Sequence, residues 1–225
     1  MLLEQLLHDT YNYPHLAAIC STPYEVITDT EDTLIVHSPS MGVHIAECVA
    51  PDPADTITFL RALGPVRLET TSLAVYEALR GDYINSYRCR QYVFPPVKDR
   101  DPHVAHVRPE DLPRIIEEYG DEAYIRALFD RNRILGYYHE DRLAGYIVHH
   151  IDNTLGLLYI HPDYRRRGFA AALVRTAVAC YGDPFTYSQV LEDNEASIRM
   201  HEALGVPPLP DLICWVYDRD FSYGG

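Results

Sequence analysis

The chain has 225 residues and a formal net charge of -14, with 47% hydrophobic and 23% charged residues. These are the proportions of a globular protein long enough to bury a core, as one large domain or two small ones. They exclude nucleic acid as a main partner, which would need lysine and arginine to displace counterions, and no apolar run is long enough to cross a bilayer.

The opening MLLEQLLHDTYNYPH has Glu4 and Asp9 where a signal peptide needs a basic start, so a short amphipathic helix is expected. Residues 33–37 and 43–49 read as a hairpin around SPSMG. A helix over 55–63, a strand over 66–70, a helix over 72–79 and a strand over 84–94 follow. The proline- and charge-rich FPPVKDRDPH, 94–103, is the expected linker. It divides the chain into domains 1–98 and 99–225.

Beyond it come a strand at 103–107, a helix opened by Pro113, a helix over 122–130, and strands at 133–139 and 143–151 joined by a tight Glu140-Asp141 turn. A strand at 154–160 leads to HPDYRRRGFAAALV, 161–174. Apolar or small residues then fall at Phe169, Ala172, Leu173, Thr176, Ala177 and Cys180, the spacing of a one-sided helix. A strand at 185–191, a helix over 194–204 stopped by Gly205, and a strand at 212–217 close the chain. The pattern is α/β (α+β), a mixed central sheet flanked by helices. The segment at 66–81 resembles that at 185–205, YEALRG against HEALG, which suggests two related lobes, the first without a counterpart of RRRG.

The five cysteines, Cys20, Cys48, Cys89, Cys180 and Cys214, are odd in number and never spaced as CxxC. That excludes a disulfide framework and a cysteine zinc site; no metal is expected, and the protein is expected to be cytoplasmic, with no membrane partner. The acidic surface suits solubility and tolerates a cationic substrate such as an amine.

The run Arg165-Arg166-Arg167-Gly168 sits where a helix begins. Helix starts have unpaired N–H groups and a partly positive end, which disfavours cations. A solvated loop is one reading of the triplet; an anion held between arginines and helix start is the other. There is no GxGxxG after a strand and no GxxxxGK[ST].

Arg165-x-x-Gly168-x-Ala170 after a strand, with Asn194-x-x-Ser197 and Leu204-Gly205 downstream, resembles the GNAT acyltransferase superfamily over residues 103–218. YSQVLEDN and ICW are similar to its glycine N-acyltransferase-like branch, whose members carry a reduced N-terminal copy of the fold. The resemblance implies a GNAT fold and acetyl-CoA, or another acyl-CoA, as co-substrate. It implies that Leu158, Tyr159 and Ile160 pair with the pantetheine arm along a splayed strand edge. The amides of Arg165, Arg166, Arg167, Gly168, Phe169, Ala170 and Ala171 would hold the pyrophosphate. Asn194 would contact the pantetheine or cap a helix, or both, and Ser197 would face the same ligand or solvent.

The implied reaction is attack by a primary amine of a small molecule or amino acid on the thioester, with the Ile160 N–H as donor to the carbonyl oxygen. His201 stands where many relatives place an acidic tyrosine, and Thr154 where several place a basic glutamate. The base is then His149 or His150, Asp152, or a water; on a regular strand the two histidines face opposite ways. Tyr137, Tyr138 and Tyr187 are walls of the acceptor site or core residues. A CoA-binding sensor without catalysis and a peptide N-terminal acetyltransferase are the rival functions. The sequence fixes no oligomeric state.

Overall fold

A computed structural model describes residues 1–64, 66–182 and 185–218. Its elements, in chain order, are α1 (Leu2–Leu7), α2 (Pro14–Cys20), β1 (Glu25–Asp29), β2 (Thr33–Ser38), β3 (Val43–Cys48), α3 (Ala54–Ala62), β4 (Arg67–Thr70), α4 (Leu73–Leu79) and β5 (Asn85–Val93). There follow β6 (Val104–His106), α5 (Leu112–Tyr119), α6 (Glu122–Asp130), β7 (Ile134–His139), β8 (Arg142–His149), β9 (Leu155–Ile160), α7 (Phe169–Tyr181), β10 (Tyr187–Leu191), α8 (Glu195–Ala203) and β11 (Ile213–Tyr217).

The chain divides into two compact units that are not the contiguous halves 1–98 and 99–225. One comprises Met1–Gln91, Val190–Asn194 and Pro208–Gly225, the other Tyr92–Gln189 and Glu195–Pro207. Positions 183, 184 and 219–225 of the expected second domain lie outside the described residues. The reason for the difference is β11: the closing strand pairs antiparallel with both β4 and β5, so the end of the chain completes the first unit's sheet.

That sheet runs β1-β2-β3-β4-β11-β5, with β10 following β5. β1 pairs with β2, β2 with β3 antiparallel, and β3 with β4 in parallel, carried across by α3. Leu60, Val75 and Leu79 from α3 and α4 close over Ile35, Ala46 and Leu68 of the strands. The N-terminal segment differs from the single helix expected: α1 ends at Leu7, and Pro14, whose missing N–H costs nothing at a helix start, opens α2.

In the second unit, β6-β7-β8-β9 form an antiparallel meander. The β7–β8 turn puts Glu140 at φ 50° and Asp141 at φ 62°, the left-handed pair of a type I′ turn. Asparagine tolerates that region better than glutamate. Glu140→Asn is therefore expected to stabilise the protein by about 0.5 kcal/mol, a rise of roughly 1–2 °C in Tm by thermal melt. An unchanged or lower Tm would count against a strained turn.

The two faces of β8 are set by its partners. His149 stacks on Tyr181 of α7, with ring centroids 4.5 Å apart, so its face is covered by α7. His150, next in sequence, turns the other way, its Nδ1 2.5 Å from the Tyr124 hydroxyl of α6. α7 buries Leu173, Val174, Thr176, Ala177 and Val178, a broader face than the spacing predicts. Thr176 is accommodated because its hydroxyl accepts the Asp101 N–H at 3.0 Å.

Candidate active site

β9 is the edge of its four-stranded sheet. It meets β10 at a single parallel bridge, Thr154 to Tyr187, beside a bond from the Ser188 hydroxyl to the Leu155 carbonyl at 2.9 Å. Beyond that point no strand among the described residues lies beside this edge of β9. On the other edge, His161 donates its N–H to Ala144 at 2.9 Å. Alternation then turns the N–H and C=O of Ile160 and Leu158 outward, away from β8. A backbone edge of this kind is what an extended amide-bearing ligand can pair with.

The strand is also bent. Tyr146 pairs with Tyr159 and Val148 with Gly156, so β9 carries one residue more than β8 between those rungs. The extra residue is Leu157, at φ 48°. This is a β-bulge, which re-aims the strand at the point where it parts from β10. The sequence expectation missed it. Its one signal is Gly156: a Cβ there would lie 2.6 Å from the His150 Nε2, and a glycine inside a strand marks such close approaches.

After β9, a single turn over Pro162–Tyr164 leads into the arginines. Arg165 donates its Nε–H to the Ile160 carbonyl at 3.0 Å, tying the loop to the strand end. Arg166 stands at φ 60° and Gly168 at φ 83°, two left-handed residues that fold the chain back onto the helix start. The Arg167 guanidinium lies 5.6 Å from the Tyr164 ring centre. All three arginines are exposed. No side chain caps α7, and its first backbone bond runs from the Ala172 N–H to Gly168. The N–H groups of Phe169, Ala170 and Ala171 therefore have no partner within the helix. Phe169 anchors this end by stacking on Tyr137 at 3.9 Å. A free strand edge, three formal positive charges and an uncapped helix start thus lie in sequence along one path. That arrangement fits a ligand with an amide-bearing arm and a diphosphate.

Residues 100–206 match the acetyltransferase (GNAT) family. The fold agrees. A Drosophila protein of known structure is 17% identical over 94% of this chain and 88% of its own, with a TM-score of 0.61. A GCN5-related N-acetyltransferase from Kribbella flavida is 13% identical over 92% of this chain and 94% of its own, at a TM-score of 0.57. A GNAT-family acetyltransferase from Colwellia psychrerythraea is 11% identical over 88% and 87%, at 0.53. At such identities the likeness is one of fold. No curated protein matches the chain. The GNAT match supports acyl transfer in general, and GNAT proteins generally use an acyl-CoA.

Within the matched segment, several side chains named for catalysis have other work. His201 is 2% exposed, stacked on Tyr92 at 4.1 Å and against Phe94 at 5.5 Å. Its Nδ1 lies 2.8 Å from the Ser197 carbonyl, so Nδ1 carries the proton and the buried Nε2 is an acceptor. Burial holds its pKa below the ordinary value. A ring in that state has no Nε2 proton to give a leaving thiolate. His149 is 5% exposed, and burial first, then the Arg133 guanidinium, push it down to about 3. An imidazole that acidic in its protonated form is a weak base near neutral pH. Asp152 is buried, its Oδ1 accepting the Thr154 N–H at 3.0 Å and the Thr154 hydroxyl at 2.6 Å. The pair shapes the β8–β9 turn.

Tyr138 is buried, donates to Asp111 at 2.9 Å and accepts the Arg108 N–H at 3.0 Å. Tyr187 is 1% exposed, so neither ring offers a surface to an acceptor in this conformation. Ser197 lies in the first turn of α8, and Asn194, just before that helix, donates its N–H to Leu191 at 3.0 Å. Among the described residues no group of His, Cys, Asp or Glu is placed to hold a metal ion, and no helix is long and apolar enough to cross a membrane.

Proposed function

We propose that the protein is an N-acyltransferase that moves an acetyl group from acetyl-CoA to a primary amine of a small molecule or amino acid. The observation that carries this reading is the free, bulged edge of β9 running into the uncapped start of α7. Leu158 and Ile160 would pair with the pantetheine amides, and the Ile160 N–H would donate to the thioester oxygen as charge develops there. The amides from Arg165 to Ala171 and the three guanidinium groups would take the diphosphate. Holding amine and thioester together supplies much of the rate.

The first unit supports a degenerate second copy of the fold, as in the glycine N-acyltransferase-like branch. Its order β2-β3-α3-β4-α4-β5 repeats β8-β9-α7-β10-α8-β11. Where the second copy has RRRG before its helix, the first has Val49-Ala50-Pro51-Asp52-Pro53, with a carboxylate and no cation. That end of the first unit would repel a diphosphate.

The test is thiol release from acetyl-CoA across small amines and peptides bearing free N-termini. Turnover is expected with small amines and little with peptides. Turnover with peptides alone would make the protein a peptide N-terminal acetyltransferase. Tight CoA binding with no turnover on any amine would make it a CoA sensor.

A further inference from the structure

Where β8 ends, the backbone of His150 is fixed from several sides. Its N–H donates to the Thr154 carbonyl at 2.8 Å, and its carbonyl accepts the Asn153 N–H at 3.2 Å and an Arg133 guanidinium N–H at 2.6 Å. Its ring lies along Tyr124 of α6, with Nδ1 2.5 Å from the hydroxyl and the ring centroids 5.8 Å apart. Backbone and ring are thus held separately, one by the β8–β9 turn and the other by α6. Val148 pairs with Gly156, so alternation puts His150 on the same face of the sheet as Gly156, its diagonal neighbour. The far end of the ring points at that glycine. A Cβ built on Gly156 would lie 2.6 Å from the His150 Nε2 and 3.0 Å from its Cδ2. Only a residue without a side chain fits beneath the ring.

Gly156 immediately precedes Leu157, the extra residue of the bulge at φ 48°. At the other end of β9, Gly145 stands opposite Ile160, and a Cβ on it would run into the Tyr159 carbonyl and Ile160. The exit of the strand is seated by that close approach, and its entry by the His150 ring. Between the two contacts lie Leu158 and Ile160, whose backbone groups face outward. We propose that His150, braced by Tyr124 of α6, is a positioning residue. Its ring presses on Gly156, holds the Leu157 bulge and so sets the angle at which the edge of β9 meets the pantetheine arm. This rests on the acyl-CoA reading. The role is mechanical: His150 acts through the backbone of Gly156 and Leu157.

The two ends of the ring can be separated chemically. Asparagine ends near the place of Nδ1 and can still meet the Tyr124 hydroxyl, but nothing then reaches Gly156. Glutamine extends about as far as Nε2 and restores a planar group over the glycine. Gly156→Ala approaches the same contact from the strand. Gly156 is not among the left-handed residues, so alanine brings no backbone strain there. Its Cβ instead meets a ring that Tyr124 and the turn keep from swinging away. The strand has to move.

The experiment uses the full chain and measures the acetyl-CoA Kd by calorimetry beside Tm by thermal melt. His150→Asn and Gly156→Ala are each expected to raise Kd about tenfold, the scale of a small misplacement of a binding edge. His150→Gln should stay within about threefold of the parent, a rescue that general loss of stability would not produce. The double variant of Gly156→Ala with His150→Asn should bind about as well as His150→Asn alone, because the alanine then has no ring to strike. Independent effects would instead multiply to about 100-fold. If Gly156→Ala does not fold by circular dichroism, the asparagine and glutamine variants carry the test. Equal Kd values for His150→Asn and His150→Gln, or losses that multiply in the double variant, overturn the proposal and leave acyl-CoA binding standing. A parent that does not bind acetyl-CoA overturns both the proposal and the acyl-CoA reading.

Discussion

Gly168→Glu is expected to raise the Kd for acetyl-CoA at least about 100-fold, a loss of about 2.7 kcal/mol. The residue stands at φ 83°, and a Cβ built there meets nothing within 4 Å. The substitution therefore creates no clash. Its backbone cost is about 1–2 kcal/mol for leaving glycine in the left-handed region. A carboxylate at the start of α7 recovers about 0.3–1 kcal/mol of that, because it faces the positive end of the helix. The protein should fold, with its own anion occupying the place of the diphosphate. Gly168→Ala separates the effects: it carries the strain without the charge and should weaken binding by no more than about tenfold. Near-parent affinity in Gly168→Glu by calorimetry would remove this loop from CoA binding.

That this loop runs into a helix start was legible because the signal is local. RRRG lies on one short segment, and the argument from helix start to anion needs only neighbours in sequence. The helices and strands of the second half were legible for the same reason: Pro113 and Gly205 mark a helix start and a helix end, and the Glu140-Asp141 turn marks the hairpin. β1 was missed because its five residues are exposed or half-buried and show no alternation between faces. The fate of β11 was missed for another reason. Its sequence, ICWVY, reads correctly as a strand, but nothing local says that it inserts between β4 and β5.

The catalytic side chains were the least legible, because a role depends on what surrounds a group in space. His201 was named because many relatives carry a tyrosine at that position; its surroundings are set by Tyr92, more than a hundred positions earlier, and by the Ser197 carbonyl. His149 and His150 were rightly separated by strand alternation, yet only the partners Tyr181 and Tyr124 show which face each takes.

Acidification is expected to destabilise the fold through His149. The folded protein holds this imidazole neutral down to about 3, through burial and the Arg133 guanidinium. In the unfolded chain the same group takes a proton near about 6.5. Between those two values the unfolded state binds more protons, so stability rises with pH there. The contribution is complete above about pH 6.5 and is lost progressively as pH falls towards about 3, a total on the order of 5 kcal/mol. From pH 7 to 5 the share lost is roughly 2 kcal/mol, or about 4–8 °C in Tm for a chain of this size. His44, down to about 4 through burial and the neighbouring His37, shifts stability in the same direction. His149→Phe keeps a ring to stack on Tyr181 and removes the titration, while Arg133 keeps its bond to the His150 carbonyl at 2.6 Å. Its Tm should fall less between pH 7 and 5 than that of the parent, with the two curves converging as the solution becomes acidic. Parallel curves would show that His149 is not the group whose protonation opens the fold.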